Sequence, residues 1–155
     1  MRIKKTSETT PRSSETVNTF SNSTKDSYAC SYANNTFQTK GTVLWTNSNP
    51  SSAFEGGTIT LSSNDYDYID IIFNNYITRN TYDTARIYNI SGYFELDALF
   101  NYMGAVYAGS RYAQFTDNGN KIAFETAFGK EVGASGAVSA QSSWAVPYKI
   151  IGYKE

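Results

Sequence analysis

The chain has no histidine at any of its 155 positions, a single cysteine, only three prolines and few charges. Each shortage removes chemistry. Without histidine there is no Ser-His or Cys-His nucleophilic pair and no side chain whose ordinary pKa suits a general base near neutrality. The commonest transition-metal ligand is missing too. One cysteine, Cys30, closes no intrachain disulfide and builds no thiolate zinc site; it is expected to sit partly buried as a small, unreactive hydrophobe. Charged residues make up 17% of the chain with a net charge of -1, so neither the basic footprint of a nucleic-acid binder nor a polybasic membrane patch is present. No run reaches the roughly 20 apolar residues of a membrane span. The opening MRIKKTSETTPRSSE carries basic residues with no apolar run behind them, unlike a secretory signal. These shortages describe a soluble chain made in the cytoplasm, without cofactor or metal and not an enzyme.

What the chain does have is rings. Aromatic residues are 15% of it, with 13 tyrosines against 9 phenylalanines, and a hydrophobic fraction of 40% suffices for a core. The length fits one domain with some extra chain. The extra lies at the front. In residues 1–40, KKTSETTPRSSETVNTFSNSTKDS is rich in Ser, Thr and charge, with Val17 and Phe20 its only sizeable apolar side chains after Ile3. It cannot bury enough apolar surface to offset an ordering entropy of roughly 1–2 kcal/mol per residue. Such an arm is extended or irregular alone and takes its order from a partner. Tyr28, Cys30 and Tyr32 alternate, but Phe37 falls out of phase.

From Thr42 onward the hydrophobic period is 2, the mark of half-buried strands. TVLWT places Val43 and Trp45 on one face, and TITL turns Ile59 and Leu61 inward. In YDYIDIIF, Ile69, Ile71 and Phe73 share one face while Tyr68, Asp70 and Ile72 share the other. Ala85 and Ile87 oppose Arg86 and Tyr88 in TARIYNI. Two alternating runs flank Asp117-Asn118-Gly119-Asn120, where Asn-Gly is the favoured type I′ hairpin turn. In SSWAVPYKIIGYK, Pro147 donates no ladder hydrogen bond and so predicts an edge strand or a bulge. GYFELDALFNYM fits a helical stripe as well as a strand, and its strand-rich surroundings favour the strand. Gly129–Ser143 is rich in small residues and reads as a mobile loop. Seven to nine short strands with polar turns predict an all-β antiparallel sandwich or jelly roll over residues 41–155.

Three constellations bear on function. Asp65, Asp67 and Asp70 invite a calcium reading, but the glycine of the best-known calcium loop is missing, and a charged strand edge that resists edge-to-edge pairing is the simpler account. Glu95 and Asp97 sit two apart on one strand face, within reach of a glycosidase geometry, though such spacing is common. Tyr76, Tyr82, Tyr102, Tyr107 and Tyr112 lie at or near turns with Arg79 and Arg111 close by. Tyrosine gives rigid contact area with a polar handle, the chemistry of a saccharide groove. Tyr76, Arg79, Tyr82, Tyr107, Arg111 and Tyr112 are therefore the candidate ligand-binding residues.

LWTNSNPSSAF followed by GTITLSSNDYDYIDIIF, with the closing VPYKIIGYK, resembles the C-terminal head domains of bacteriophage tail-fibre and receptor-binding proteins. STKDSYACSYANN is similar to connector segments that precede such heads. The likeness covers residues 41–73 and 144–154 and leaves the middle of the chain unmatched. It implies a small β-sandwich head, commonly a homotrimer, held on the virion surface by its N-terminal segment against other virion proteins. It departs from long fibres in that only about 40 residues precede the head and no shaft is seen, which leaves room for a capsid decoration or head-fibre protein. A glycan hydrolase using Glu95 and Asp97 is a third expectation. In this framework Trp45 is expected in the core, with Asn47 to Ser52 a turn set by its Pro and Asn rather than an active-site loop.

Overall fold

The computed structural model describes residues 40–155. The arm expected over 1–40, with Cys30 and the tyrosines around it, lies outside the described residues apart from Lys40. Residues Lys40–Glu155 form one compact unit. Its strands are β1 (Thr42–Thr46), β2 (Gly57–Thr60), β3 (Tyr68–Tyr76), β4 (Tyr82–Ile87), β5 (Tyr93–Tyr102), β6 (Ala105–Thr116), β7 (Lys121–Phe124), β8 (Phe128–Glu131), β9 (Ser139–Ala140) and β10 (Trp144–Tyr153). They build two antiparallel sheets that pack as a sandwich. Sheet A runs β1-β10-β3-β4. Sheet B is organised around β6, which pairs with β5 over ten residue pairs on one side. On its other side β6 pairs with β7 and β8, and these pair in turn with β2 and β9.

The core lies between the sheets. Ile69, Ile71 and Phe73 of β3 and Ile150 of β10 meet Phe94, Leu96, Ala98 and Phe100 of β5, Phe115 of β6, and Ile122 and Phe124 of β7. In β5 every even residue from Phe94 to Phe100 is buried and every odd one exposed, so the strand reading is the correct one and the helical stripe is fortuitous. The hairpin forms, but with a four-residue loop rather than a two-residue one: Thr116 pairs with Lys121, Asp117, Asn118 and Gly119 all take the left-handed region (φ 53°, 51° and 84°), and the Asn120 N–H donates to the Asp117 carbonyl at 3.0 Å.

Two expectations are corrected and one is decided between its alternatives. A register shift between Val43 and Trp45 turns Leu44 into the core, leaves Val43 exposed and makes Trp45 only half-buried; a bulge alters which side chain points inward. Pro147 is not on an edge strand, because β10 runs between β1 and β3, and the shift between Pro147 and Lys149 is the bulge alternative. Gly129–Ser143 is not one loop, since it contains most of β8 and all of β9. Gly109 and Gly129 face each other across β6 and β8. A Cβ on Gly109 would stand 2.8 Å from Cε3 of Trp144, and one on Gly129 2.6 Å from the same atom. The two glycines are a floor for the indole, a requirement for closeness that sequence alone reads as looseness.

The NSNPSS segment after β1 is a fastening. The Asn49 N–H donates to Asn47 Oδ1 at 2.9 Å, an Asx turn, and Asn47 Nδ2 donates to the Pro147 carbonyl at 3.0 Å. Ser51 Oγ donates to Asn80 Oδ1 at 3.0 Å. The Phe54 N–H donates to the Ser142 carbonyl at 2.8 Å, and its ring meets Phe124 edge-on at 5.9 Å. Phe54 anchors a structural loop.

Candidate functional site

Two turns frame the aromatic end of the sandwich. After β3, the N–H groups of Arg79 and Asn80 donate to the Tyr76 carbonyl at 2.9 and 3.2 Å, and Asn80 takes the left-handed region (φ 50°). Between β5 and β6, Tyr102 pairs with Ala105 across Met103 (φ 48°) and Gly104 (φ 85°), a two-residue connection of the primed kind. These turns bring Arg79 over the Tyr102 ring, 5.4 Å from its centroid.

Beneath Arg79 the rings form a continuous wedge from surface to core. Tyr76 stacks on Phe100 at 4.9 Å and meets Tyr102 edge-on at 5.3 Å. Tyr107 stacks on Phe100 at 5.6 Å and meets Trp144 edge-on at 5.8 Å. Phe100 in turn meets Trp144 at 5.0 Å. Phe100 and Trp144 are buried, Tyr76, Tyr102 and Tyr107 half-buried, and Arg79 exposed. Arrangements of this kind, rigid rings backed by a core with a guanidinium at the rim, suit a ligand that offers both an apolar face and hydroxyls.

Of the six candidate ligand residues, Tyr76, Arg79 and Tyr107 meet here, joined by Tyr102. The other three do not. Tyr82 lies on β4, its ring 5.4 Å from Tyr148. Tyr112 is exposed on the outer face of sheet B, opposite Glu95; that carboxylate accepts from its hydroxyl and holds the phenol above its ordinary pKa. Arg111 is buried completely. Its Nε donates to the Ala145 carbonyl at 2.9 Å, Nη1 to Glu125 O at 2.5 Å, and Nη2 to Trp144 O at 2.9 Å and Ser142 O at 3.3 Å, while the Phe54 ring lies 5.0 Å from its guanidinium carbon. Burial lowers its pKa to about 10, which leaves it charged at neutral pH. Arg111 ties the irregular approach to β10 onto β6; it is a structural residue with no face left for a ligand.

The three aspartates each find a different protein partner. Asp70 receives Arg86 through Nε at 2.7 Å and Nη2 at 2.8 Å, Asp65 receives Lys154, and Asp67 accepts the Glu155 N–H at 2.8 Å. Among the described residues, no group of three or more acidic, histidine or cysteine side chains is placed to hold a metal. Glu95 and Asp97 both point outward from β5.

Sequence reasoning passed over a second aromatic cluster, on the outer face of sheet A. Tyr153 stacks on Tyr68 at 4.9 Å, Tyr88 lies 5.4 Å beyond, and Arg86 lies over Tyr68 at 4.9 Å. The signal was available in part, since Tyr68 and Asp70 share a strand face; the pairing of Asp70 with Arg86 and of Tyr68 with Tyr153 needed the register. No protein-family model matches this chain, and neither a curated protein nor a solved structure shows significant similarity to it.

Proposed function

We propose that this chain is a bacteriophage virion protein that displays residues 41–155 as a sandwich head and takes a host-surface saccharide at the aromatic end, with Tyr76, Tyr102 and Tyr107 as the contact surface and Arg79 at its rim. The observation that carries the proposal is the Arg79–Tyr102 contact above the stacked rings. The segments that resemble phage head domains, 41–73 and 144–154, fall on β1, β2, most of β3 and β10. All four aromatic-end residues fall between them, on chain that a shared framework leaves free to vary. On this reading residues 1–40 contact other virion proteins at the particle surface, and the head works as a homotrimer.

The test is a glycan array probed with the full chain, followed by titration of a bound glycan against Arg79→Ala and Tyr102→Ala. Losing the cation–π pair and a stacking ring should weaken binding by roughly three- to thirtyfold in each variant. A glycan bound equally by wild type and both variants overturns the assignment of the site. The absence of any bound glycan, with the chain located on the capsid lattice by cryo-EM, favours the decoration reading instead.

A further inference from the structure

The edges of the two sheets are treated very differently. β9 has two residues, β2 four, and β1 is broken by a bulge, the ordinary ways in which edge strands avoid recruiting another chain. β4 is a regular edge of six residues, and β5 is the longest edge of all. It pairs with β6 over ten consecutive pairs without a register shift, contains no proline, and among the described residues has no strand on its other side. Roughly half its backbone N–H and C=O groups therefore point away from the sheet. Its outward side chains include Tyr93, Glu95, Asp97 and Leu99, with Tyr93 71% and Leu99 67% exposed. Neither carboxylate forms a salt bridge among the described residues.

We propose that the free edge of β5 docks an extended basic segment of a different protein, which adds to sheet B as an antiparallel strand. Main-chain hydrogen bonds supply affinity in this mode and alternate side chains supply specificity. The outward row of β5 reads apolar, acidic, acidic, apolar. Its complement is a segment with an apolar residue opposite Leu99, Lys or Arg opposite Asp97 and Glu95, and an apolar residue opposite Tyr93. That pattern, apolar-x-basic-x-basic-x-apolar, occurs nowhere in the 155 residues, which argues against any segment of this chain. Pairing of two β5 strands is disfavoured as well. It gathers four carboxylates on one face, with Asp97 against Asp97 when the two-fold axis passes through that residue, and like charges directly opposite are destabilising.

The test uses the full chain and a fluorescein-labelled peptide with Val, Lys, Lys and Val at its second, fourth, sixth and eighth positions and Thr elsewhere. Fluorescence anisotropy should show saturable binding that weakens with added salt. The surface variant Glu95→Gln/Asp97→Asn should weaken it roughly two- to thirtyfold, and N-methylation of alternate peptide amides along one edge should abolish it. No saturation, equal affinity for the double variant, or indifference to N-methylation overturns the proposal. So does concentration-dependent dimerisation of the full chain that is strengthened by the same double variant, because the occupant is then a second copy. None of these outcomes depends on saccharide binding at the aromatic end.

Discussion

Arg111 shows how far a residue's role depends on contacts distant in sequence. Its carbonyl partners lie 14 to 34 positions away, so nothing within a local window separates it from a surface arginine such as Arg79. Its planar fork spans acceptors from two segments at once, which a lysine ammonium does not do. Arg111→Lys is therefore expected to destabilise the fold by about 3 kcal/mol or more, from buried carbonyls left without donors, read as a lower urea midpoint with the same slope. Arg79→Lys, by contrast, should change stability by less than about 0.5 kcal/mol.

Tyr66 is also held deep in the fold, and it titrates. Its hydroxyl donates to the Gly119 carbonyl at 2.7 Å, tying the chain before β3 to the β6–β7 turn. Burial raises its pKa from 10.0 to about 12. The folded state thus prefers the neutral phenol. The stability this contributes is complete below pH 10 and is lost as pH climbs from 10 to 12, amounting to about 2–3 kcal/mol. Tyr66→Phe should cost about 1 kcal/mol at pH 8 yet fall off less steeply above pH 10, as checked by urea titrations at a series of pH values.

At the scale of elements, what sequence revealed were patterns carried by a single strand or turn. The inward row Ile69, Ile71 and Phe73 and the Asn-Gly hairpin follow from period and local turn chemistry, whereas β5 fits a helical stripe as well and reads as a strand only from its strand-rich surroundings. What stayed hidden needed a neighbour. The bulge in β1 is set by its pairing with β10, so Leu44 rather than Trp45 reached the core. Likewise β8 was unreadable because Gly129 is selected by the indole above it, not by strand propensity. That contact carries a prediction. Gly109→Ala and Gly129→Ala each push a methyl group toward Trp144 and backbone, at a cost of about 1–3 kcal/mol, with a shifted tryptophan emission maximum. Trp144→Leu should relieve part of the strain in the Gly129→Ala background, a coupling that a double-mutant cycle measures. The aromatic end was half legible: its tyrosines could be nominated from their places near turns, but their grouping depended on two turns 23 or more residues apart.

For the molecule as a whole, the core cluster of residues 40–155 is drawn from both sheets and is continuous. A chain of residues 40–155 is expected to unfold in one cooperative step, with tryptophan fluorescence and far-UV circular dichroism giving the same midpoint. Two separated transitions would mean that the sheets are independent.

The position of β10 between β1 and β3 carries a consequence for synthesis. Sheet A has no direct β1–β3 pairing, so until residues 144–153 have been made its two sides are not joined, and Trp144 is not there to fill the space above Gly109 and Gly129. A ribosome adding about 5–20 residues per second thus holds an open half-sandwich until the last of these strands emerges. Premature stops within β10 should yield chains that are degraded rather than shortened heads, which makes the fold its own check that translation has run through to Tyr153.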